Sequence, residues 1–253
     1  MKNTLGVIPA RMSSSRFPGK PLEKILDIPM LAHCYERAVL SDACDNLVIA
    51  TPDQEIIDWA NLFEIPSVLT SHSHQRATDR AKETLDILEN KGFEYDLILL
   101  LQGDEPQILP DDICNLKNAF LNKEHDVVNL IFPVTEAGLQ DPNVVKVVFD
   151  KNFNIHFFSR SHIPHDSING FRQLGMIGFT KEALQNYASL SSTVLEEVES
   201  VDMMRLIEND FAIQGVLSSS EILGVDTPKD LKRVEKFMLS DQFLDLYKKK
   251  YIK

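Results

Sequence analysis

The feature that most constrains the fold is an apolar stretch at residues 95–101, which is hydrophobic at nearly every position. Such a strand must be buried on both faces, which is typical of a parallel sheet covered by helices. Other predicted elements alternate along the same part of the chain: strands at 4–8, 46–50 and 65–69, helices at 29–41 and 79–90, and a helix start marked by a capping box at 51–54. This alternation predicts an α/β protein with a doubly wound, mostly parallel sheet.

The second half of the chain has a different pattern. Strands are predicted at 126–132, 144–149 and 155–158 with turns rather than helices between them, then helices at 181–187 and 194–208, a strand at 212–216 and a helix at 228–239. This order favours a smaller lobe of mixed strands. No Pro-, Gly- or Ser-rich linker separates the halves, so we expect a single domain over residues 1–253 with a secondary lobe at about 126–210.

Composition argues against several classes of protein. No apolar run approaches the ~18 residues of a membrane span, and no apolar leader precedes the first strand. The formal net charge of −12 argues against a nucleic-acid partner, because phosphate neutralisation needs a basic face. Three cysteines without C-x-x-C spacing argue against a disulfide framework or a zinc site. We therefore expect a cytoplasmic protein with no membrane insertion.

A basic loop follows the first predicted strand. Residues 9–21 contain Arg11, Arg16 and Lys20 within an acidic chain, and a local positive field of this kind would attract an anionic ligand. The serines at 13–15 are small enough for their backbone N–H groups to approach a phosphate. An ordinary solvated loop is the alternative interpretation. Neither a Walker loop nor a G-x-G-x-x-G motif is present.

Two aspartates are candidate metal ligands. Asp104 follows the strand at 95–101, and Asp226 precedes a second capping box, in which Thr227 caps the last helix and leaves Asp226 for another task. Ligands of open parallel sheets bind at the carboxyl ends of strands, and paired carboxylates suit Mg²⁺. A turn aspartate is the alternative interpretation of Asp104. Together with Arg11 and Lys20 as candidate catalytic cations, the two aspartates favour nucleotidyl transfer.

Five motifs in sequence order resemble those of the CMP-Kdo synthetases, where Kdo is 3-deoxy-manno-octulosonate. The motifs are Ile-Pro-Ala-Arg at 8–11 continued by Ser-Arg-Phe-Pro-Gly-Lys-Pro-Leu at 15–22, His-Gln-Arg-Ala-Thr-Asp-Arg at 74–80, Leu-Gln-Gly-Asp-Glu-Pro at 101–106, Phe-Ser-Arg at 158–160 and Gly-Val-Asp-Thr-Pro at 224–228. The resemblance covers nearly the whole chain. It implies a nucleotide-diphospho-sugar transferase-like fold and an enzyme of lipopolysaccharide biosynthesis that releases pyrophosphate.

The resemblance also implies partners and residue roles. The partners are CTP, an acidic eight-carbon sugar, Mg²⁺ and a second copy of the chain in a homodimer. The implied roles are triphosphate binding by Arg11, Ser13 and Lys20, cytosine and ribose binding by Thr78 and Arg80, contact with nucleotide and sugar by Gln102, sugar binding by Arg160, Gln173 and Asp202, and metal binding by Asp104 and Asp226. At 76–77 the chain has Arg-Ala where the family usually has Ser-Gly.

The sugar-binding motifs depart further from the family pattern. Gln173, Ile177, Asp202 and Met203 stand where the family usually has histidine, tyrosine, glutamate and glutamine. A changed set of polar groups suggests a changed sugar. Carboxylates on the helix predicted at 194–208, namely Glu196, Glu197 and Glu199, favour an ammonium on the substrate, as in the 8-amino analogue of Kdo.

Three alternatives to this assignment stay open. The first is the same enzyme acting on ordinary Kdo. The second is another CMP-ulosonate synthetase or an NDP-sugar pyrophosphorylase on the same scaffold. The third is a non-catalytic nucleotide-binding protein, although both candidate metal-binding aspartates are present.

Overall fold

The computed structural model describes residues 3–14, 16–121 and 125–252. The chain packs into two compact units, one formed by Met1–Cys114 with Ile222–Lys253 and the other by Asn115–Glu221. The first unit is thus built from two separate stretches of sequence, and the second unit from the stretch between them.

The first unit contains a parallel sheet. Its strands are β1 (Thr4–Pro9), β2 (Lys24–Ile25), β3 (Ile28–Pro29), β4 (Asn46–Thr51), β5 (Ser67–Leu69) and β6 (Leu97–Leu101). β2 and β3 form a small antiparallel pair, whereas the others are parallel in the order β5-β4-β1-β6. Every residue of β6 is buried, as its uninterrupted apolar sequence predicts. The predicted α/β fold is confirmed.

Helices follow these strands in alternation. They are α1 (Met30–Leu40), α2 (Gln54–Leu62), α3 (Ala77–Glu89) and α4 (Pro110–Asn118), with a 3₁₀ turn at Lys20–Leu22. α3 begins two residues before its predicted start and ends ahead of Gly92, whose φ of +91° suits a residue without Cβ. The longest helix has 13 residues, and none in the described ranges is long and apolar enough to span a membrane.

The second unit contains five strands of mixed direction. They are β7 (Val127–Thr135), β8 (Lys146–Phe149), β9 (Asn154–Ser159), β10 (Asn169–Thr180) and β11 (Ile213–Leu217), in the order β10-β7-β11-β9-β8. β11 runs parallel to β7, and the other pairs are antiparallel. Its helices are α5 (Glu136–Gln140), α6 (Lys181–Ser189), α7 (Val194–Glu199) and α8 (Met203–Ile207).

The structure of this unit differs from the sequence predictions in three places. β10 was not predicted, because Gly175 and Gly178 lower its strand propensity, yet pairing with β7 and β8 supplies its ladder. α5 lies between β7 and β8, where only turns were expected. The helix predicted at 194–208 is two helices, because Ser200 adopts a left-handed conformation with φ +52°. On the first of these two helices, α7, Val198 is 75% exposed.

The C-terminal segment of the first unit packs on α1. It contains α9 (Pro228–Met238), α10 (Leu244–Tyr247) and a 3₁₀ turn at Lys248–Lys250. Buried polar groups of α1 find partners there: Arg37 forms an ion pair with Asp241, and His33 Nδ1 lies 2.8 Å from the Tyr247 hydroxyl. Burial lowers the pKa of His33 to about 4. The last helices therefore stabilise α1 from the outside.

Candidate active site

A cavity of about 280 Å³ opens at the carboxyl ends of β1 and β6, entirely within the first unit. Five basic side chains and two carboxylates line it: Arg11, Arg16, Lys20, Arg76, Arg80, Asp104 and Asp226. On a chain of formal net charge −12, this is a concentrated positive surface. It therefore favours an anionic ligand.

Gly103 lets two strand ends approach each other. A Cβ at this position would lie 2.8 Å from the carbonyl oxygen of Pro9, at the end of β1. Any side chain would push the end of β1 away from the segment that follows β6. The close approach places Gln102 and Asp104 at the wall of the cavity beside the basic loop.

Lys20 connects the two candidate metal-binding carboxylates. Its Nζ donates to Asp104 Oδ2 at 2.8 Å and to the carbonyl oxygen of Val225 at 2.7 Å, and it lies 3.6 Å from Asp226 Oδ1. The backbone N–H of Val225 donates to the carbonyl oxygen of Asp104 at 2.9 Å, which holds the two segments together. The structure thus brings Asp104 and Asp226, predicted from separate motifs, to one cation.

The capping box predicted at Thr227 is present, with the side chains of Thr227 and Asp230 capping the start of α9. Asp226 has no part in this cap through its side chain. Instead its Oδ1 accepts a hydrogen bond from Arg16 Nη2 at 2.9 Å. The side chains of Asp104 and Asp226 are 36% and 42% exposed, so both remain accessible from the cavity.

The capping box predicted at 51–54 is wrong, and its aspartate has another contact. Asp53 occupies the N-cap position of α2, but its side chain does not cap the helix. Its Oδ2 accepts a hydrogen bond from the backbone N–H of Met12 at 2.7 Å. The carbonyl oxygen of Met12 accepts from the N–H of Gly19 at 3.0 Å, which closes the basic loop. No signal in the sequence linked Asp53 to this loop.

The serines of the basic loop occupy different positions. Ser13 and Ser14 line the cavity. Ser14 Oγ also accepts a hydrogen bond from the backbone N–H of Phe17 at 3.3 Å. Ser15 lies outside the described residues.

Arg80 and Thr78 both lie on α3 but differ in their surroundings. Arg80 lines the cavity and donates from Nη1 to Thr70 Oγ1 and to the carbonyl oxygen of Ser71. Burial, and then the neighbouring charge of Arg11, lower the pKa of Arg80. Thr78 is completely buried and does not line the cavity.

A second contact fixes the loop that precedes α3. Glu83 Oε2 accepts a hydrogen bond from the backbone N–H of Ser71 at 2.8 Å and lies 2.7 Å from His74 Nε2. His74 also lines the cavity. The loop at 70–76 is therefore held from α3 at two places, by Arg80 and by Glu83.

The three residues expected to bind the sugar lie in the second unit. Arg160 donates from its guanidinium to the carbonyl oxygens of residues 142, 143, 199 and 200. Gln173, on β10, donates from Nε2 to Asn129 Oδ1 at 2.7 Å. Asp202 is the N-cap residue of α8. The contacts of Arg160 show that it fixes two loops of this unit.

Two of the three glutamates that the sequence analysis associated with the sugar, Glu196 and Glu199, accept hydrogen bonds within the second unit. Glu196 is 1% exposed and accepts two 2.7 Å hydrogen bonds from Arg205. Glu199 accepts from Ser159 Oγ at 2.9 Å and from the backbone N–H of Arg160 at 2.7 Å. Of the three glutamates, Glu197 is the one that is exposed. Ser200 ends α7, and Glu196 on α7 pairs with Arg205 on the next helix, α8.

Comparison with known proteins identifies the family. The sequence model of the family described as Cytidylyltransferase matches residues 5–237. This chain belongs to the cytidylyltransferase family. The resemblance inferred from five motifs is thereby confirmed.

Individual relatives of this cytidylyltransferase are similar over nearly their full length. A 3-deoxy-manno-octulosonate cytidylyltransferase of Thermodesulfovibrio yellowstonii is 38% identical over 247 residues, covering 92% of this chain and 97% of the relative. An 8-amino-3,8-dideoxy-manno-octulosonate cytidylyltransferase of Shewanella sp. (strain W3-18-1) is 37% identical over 240 residues, with the same coverage. A solved structure of CMP:2-keto-3-deoxy-manno-octonic acid synthetase complexed with CTP superposes with a TM-score of 0.87 at 31% identity, covering 94% of this chain and 99% of that one.

Proposed function

We propose that this cytidylyltransferase transfers CMP from CTP to an eight-carbon ulosonic acid, either Kdo or its 8-amino analogue. A sugar hydroxyl oxygen forms a bond to the α-phosphorus, the bond from that phosphorus to the bridging oxygen breaks, pyrophosphate leaves, and the hydroxyl proton passes to solvent. The observation that carries the proposal is the cavity in which five basic side chains face two carboxylates joined by Lys20. The named relatives support the substrate class.

Arg11, Ser13 and Lys20 are proposed to bind the triphosphate. Arg11 lies close enough to Arg80 to lower the pKa of Arg80. An anion bound between or beside the two like charges would reduce their repulsion. Each guanidinium can donate two parallel hydrogen bonds to phosphate oxygens, and Lys20 supplies a compact positive charge. These residues would bind the substrate and screen its charge before the sugar oxygen approaches.

The loop at 70–76 is proposed to recognise the cytosine and ribose. Arg80 and Glu83 fix this loop from α3, which supports a rigid surface for the nucleoside. Arg80 and Gln102 both line the cavity and can contact the substrate directly. Because Thr78 is buried away from the cavity lining, we propose that it acts only by supporting α3.

Asp104 and Asp226 are proposed to hold Mg²⁺. The fit rests on two partly exposed carboxylates that already share a cation, the ammonium of Lys20, and hard oxygen ligands suit this metal. Among the described residues no group of three or more His, Cys, Asp or Glu side chains could hold a metal ion. The substrate phosphates and water would therefore complete the ligand set. Bound there, the metal would stabilise negative charge on the reacting phosphates.

The second unit is proposed to be the smaller mixed-strand lobe, with roles in sugar recognition and dimerisation within one functional domain. Arg160, Gln173 and Asp202 are the sugar-recognition candidates, and Arg160 would act mainly by fixing loops. On α7, Val194 and Val198 are one helical turn apart and 72% and 75% exposed, which supports a homodimer interface there. Sedimentation of Val198→Ser against the unmodified protein would test this assignment. A monomer in both cases would contradict it.

We further propose that the enzyme acts in the cytoplasm, in lipopolysaccharide biosynthesis. The proposed substrate CTP and the lack of a cysteine framework in the sequence support this compartment. The second candidate function is another CMP-ulosonate synthetase or an NDP-sugar pyrophosphorylase. Its distinguishing property would be pyrophosphate release with a different sugar or nucleotide.

Substitution of the two aspartates tests the proposal. Asp104→Asn and Asp226→Asn should each lower CTP-dependent pyrophosphate release by at least about 10²-fold, because each removes a carboxylate proposed to hold the metal. Asp111→Asn is the matched control, since Asp111 is exposed on α4 and outside the cavity lining. Circular dichroism should show all three variants folded. Near-normal turnover by either cavity variant would refute the assignment.

A further inference from the structure

The position between the two candidate metal ligands is filled by a side chain of the protein itself. Lys20 Nζ has three oxygen neighbours, Asp104 Oδ2, the Val225 carbonyl and Asp226 Oδ1, at 2.8, 2.7 and 3.6 Å. An ammonium has three N–H donors, so this arrangement gives each of them an oxygen neighbour. Only 12% of the Lys20 side chain is exposed.

A second cation neutralises the pair. Arg16 Nη2 donates to Asp226 Oδ1, the same oxygen that lies 3.6 Å from Lys20 Nζ. Two carboxylates thus face two cations, and the pair presents no net negative charge to a divalent ion. One oxygen of each carboxylate, Asp104 Oδ2 and Asp226 Oδ1, is already engaged with Lys20 or Arg16.

We propose that Lys20 and Arg16 are built-in counter-ions that keep Asp104 and Asp226 from binding metal until a nucleotide triphosphate arrives. The inference rests on the proposed function, because it takes the triphosphate as the anion that draws both cations away. Once the two cations move to phosphate oxygens, they no longer neutralise the negative charge of the two carboxylates. Metal binding then follows nucleotide binding or accompanies it.

The loop geometry is compatible with this exchange. Lys20 follows Gly19, which has φ +75°, and begins a single 3₁₀ turn at the cavity wall. Arg16 is more than half exposed, so it can change partner at little cost in packing. Both side chains line the cavity that would receive the phosphates.

Manganese binding to the nucleotide-free protein tests the proposal without any turnover. Free Mn²⁺ is measured by electron paramagnetic resonance during titration of the unmodified protein and three variants. Lys20→Gln should tighten Mn²⁺ binding at least tenfold, and Arg16→Gln should tighten it by a smaller factor because Arg16 contacts only one of the two carboxylates. Lys24→Gln, an equal charge change at an exposed residue outside the cavity lining, should leave the affinity unchanged.

A second titration uses the unmodified protein with a CTP analogue that has a methylene group between the α- and β-phosphates. Protein, analogue and Mn²⁺ together should bind more metal than the sum of protein alone and analogue alone. The proposal would be overturned if Lys20→Gln, Arg16→Gln and the unmodified protein had equal affinity for Mn²⁺. It would also be overturned if the unmodified protein bound Mn²⁺ tightly without nucleotide. If Lys20→Gln does not fold, Arg16→Gln and the analogue titration test the proposal in its place.

The failure of the proposed function would be visible separately. It would appear as no pyrophosphate release from CTP and Kdo-type sugars by the unmodified protein. The metal titration of the nucleotide-free protein would still report whether the two cations exclude metal.

Discussion

Replacing Gly103 by alanine tests how closely the two strand ends must approach. The added Cβ would lie 2.8 Å from the Pro9 carbonyl oxygen, about 0.6 Å inside the 3.4 Å at which ordinary contact begins. The obstacle is backbone at the end of a buried strand, not the tip of a flexible side chain. The end of β1 or the segment at 102–104 must therefore move, and with it the basic loop or Asp104.

The expected magnitude has a stability part and a kinetic part. Overpacking at a rigid site costs about 1–3 kcal/mol in the free energy of unfolding. This is offset in part by the about 0.4–1 kcal/mol that Gly→Ala contributes by restricting the unfolded chain. Displacement of reacting groups by a fraction of an ångström to 1 Å should lower kcat by about 10- to 100-fold.

Gly224→Ala provides a matched control in the same unit. A Cβ there would have the Asp104 carbonyl oxygen as its nearest neighbour, at 4.0 Å. Pyrophosphate release and urea unfolding should be measured for both variants. Gly103→Ala should be slower and less stable, whereas Gly224→Ala should match or slightly exceed the stability of the unmodified protein. Equal kcat for the two variants would refute the close-approach argument.

Three further predictions concern other contacts. Glu196→Gln should lower the free energy of unfolding, measured in urea, by about 3–5 kcal/mol, because the buried charge of Arg205 loses its partner. The control Glu197→Gln, at an exposed position, should change the free energy of unfolding little. Burial lowers the pKa of His33 from 6.5 to about 4, so the unfolded chain binds more protons in this window. The free energy of unfolding should therefore fall by up to about 3 kcal/mol as the pH drops from 6.5 to about 4. In urea unfolding, the free energy of unfolding of His33→Gln should depend less on pH over this range. In steady-state assays, Asp53→Ala should raise KM for CTP more than it lowers kcat. Asp53→Asn keeps an acceptor for the Met12 N–H, so it should retain most of the affinity for CTP.

The predictable parts of the fold are those specified by local sequence. β6 is apolar at every position, and the residues that cap α9 lie within four consecutive positions of the sequence. The doubly buried strand and the capping box both follow from short-range physics. The same reasoning failed at residues 51–54, where a similar pattern carries an aspartate that binds a distant backbone N–H instead of capping.

The contacts that complete the candidate site could not be read from sequence because they join distant segments. Lys20 meets Asp104 across 84 residues and Val225 across 205. Outside the site, Arg37 and His33 also meet partners 204 and 214 residues away. In the second unit, the left-handed residue Ser200 divides the predicted helix into α7 and α8, and Glu196 on α7 pairs with Arg205 on α8.

The central claim is that this cytidylyltransferase activates an eight-carbon ulosonic acid with CTP. Its most direct test is a pyrophosphate-release assay of the unmodified protein with Mg²⁺, comparing Kdo, its 8-amino analogue and other ulosonic acids, each with CTP, UTP, ATP and GTP. We predict release with CTP and at least one of the two eight-carbon sugars, with the CMP-sugar as the second product. Release only with another nucleotide or another class of sugar, or no release with any pair, would contradict the claim.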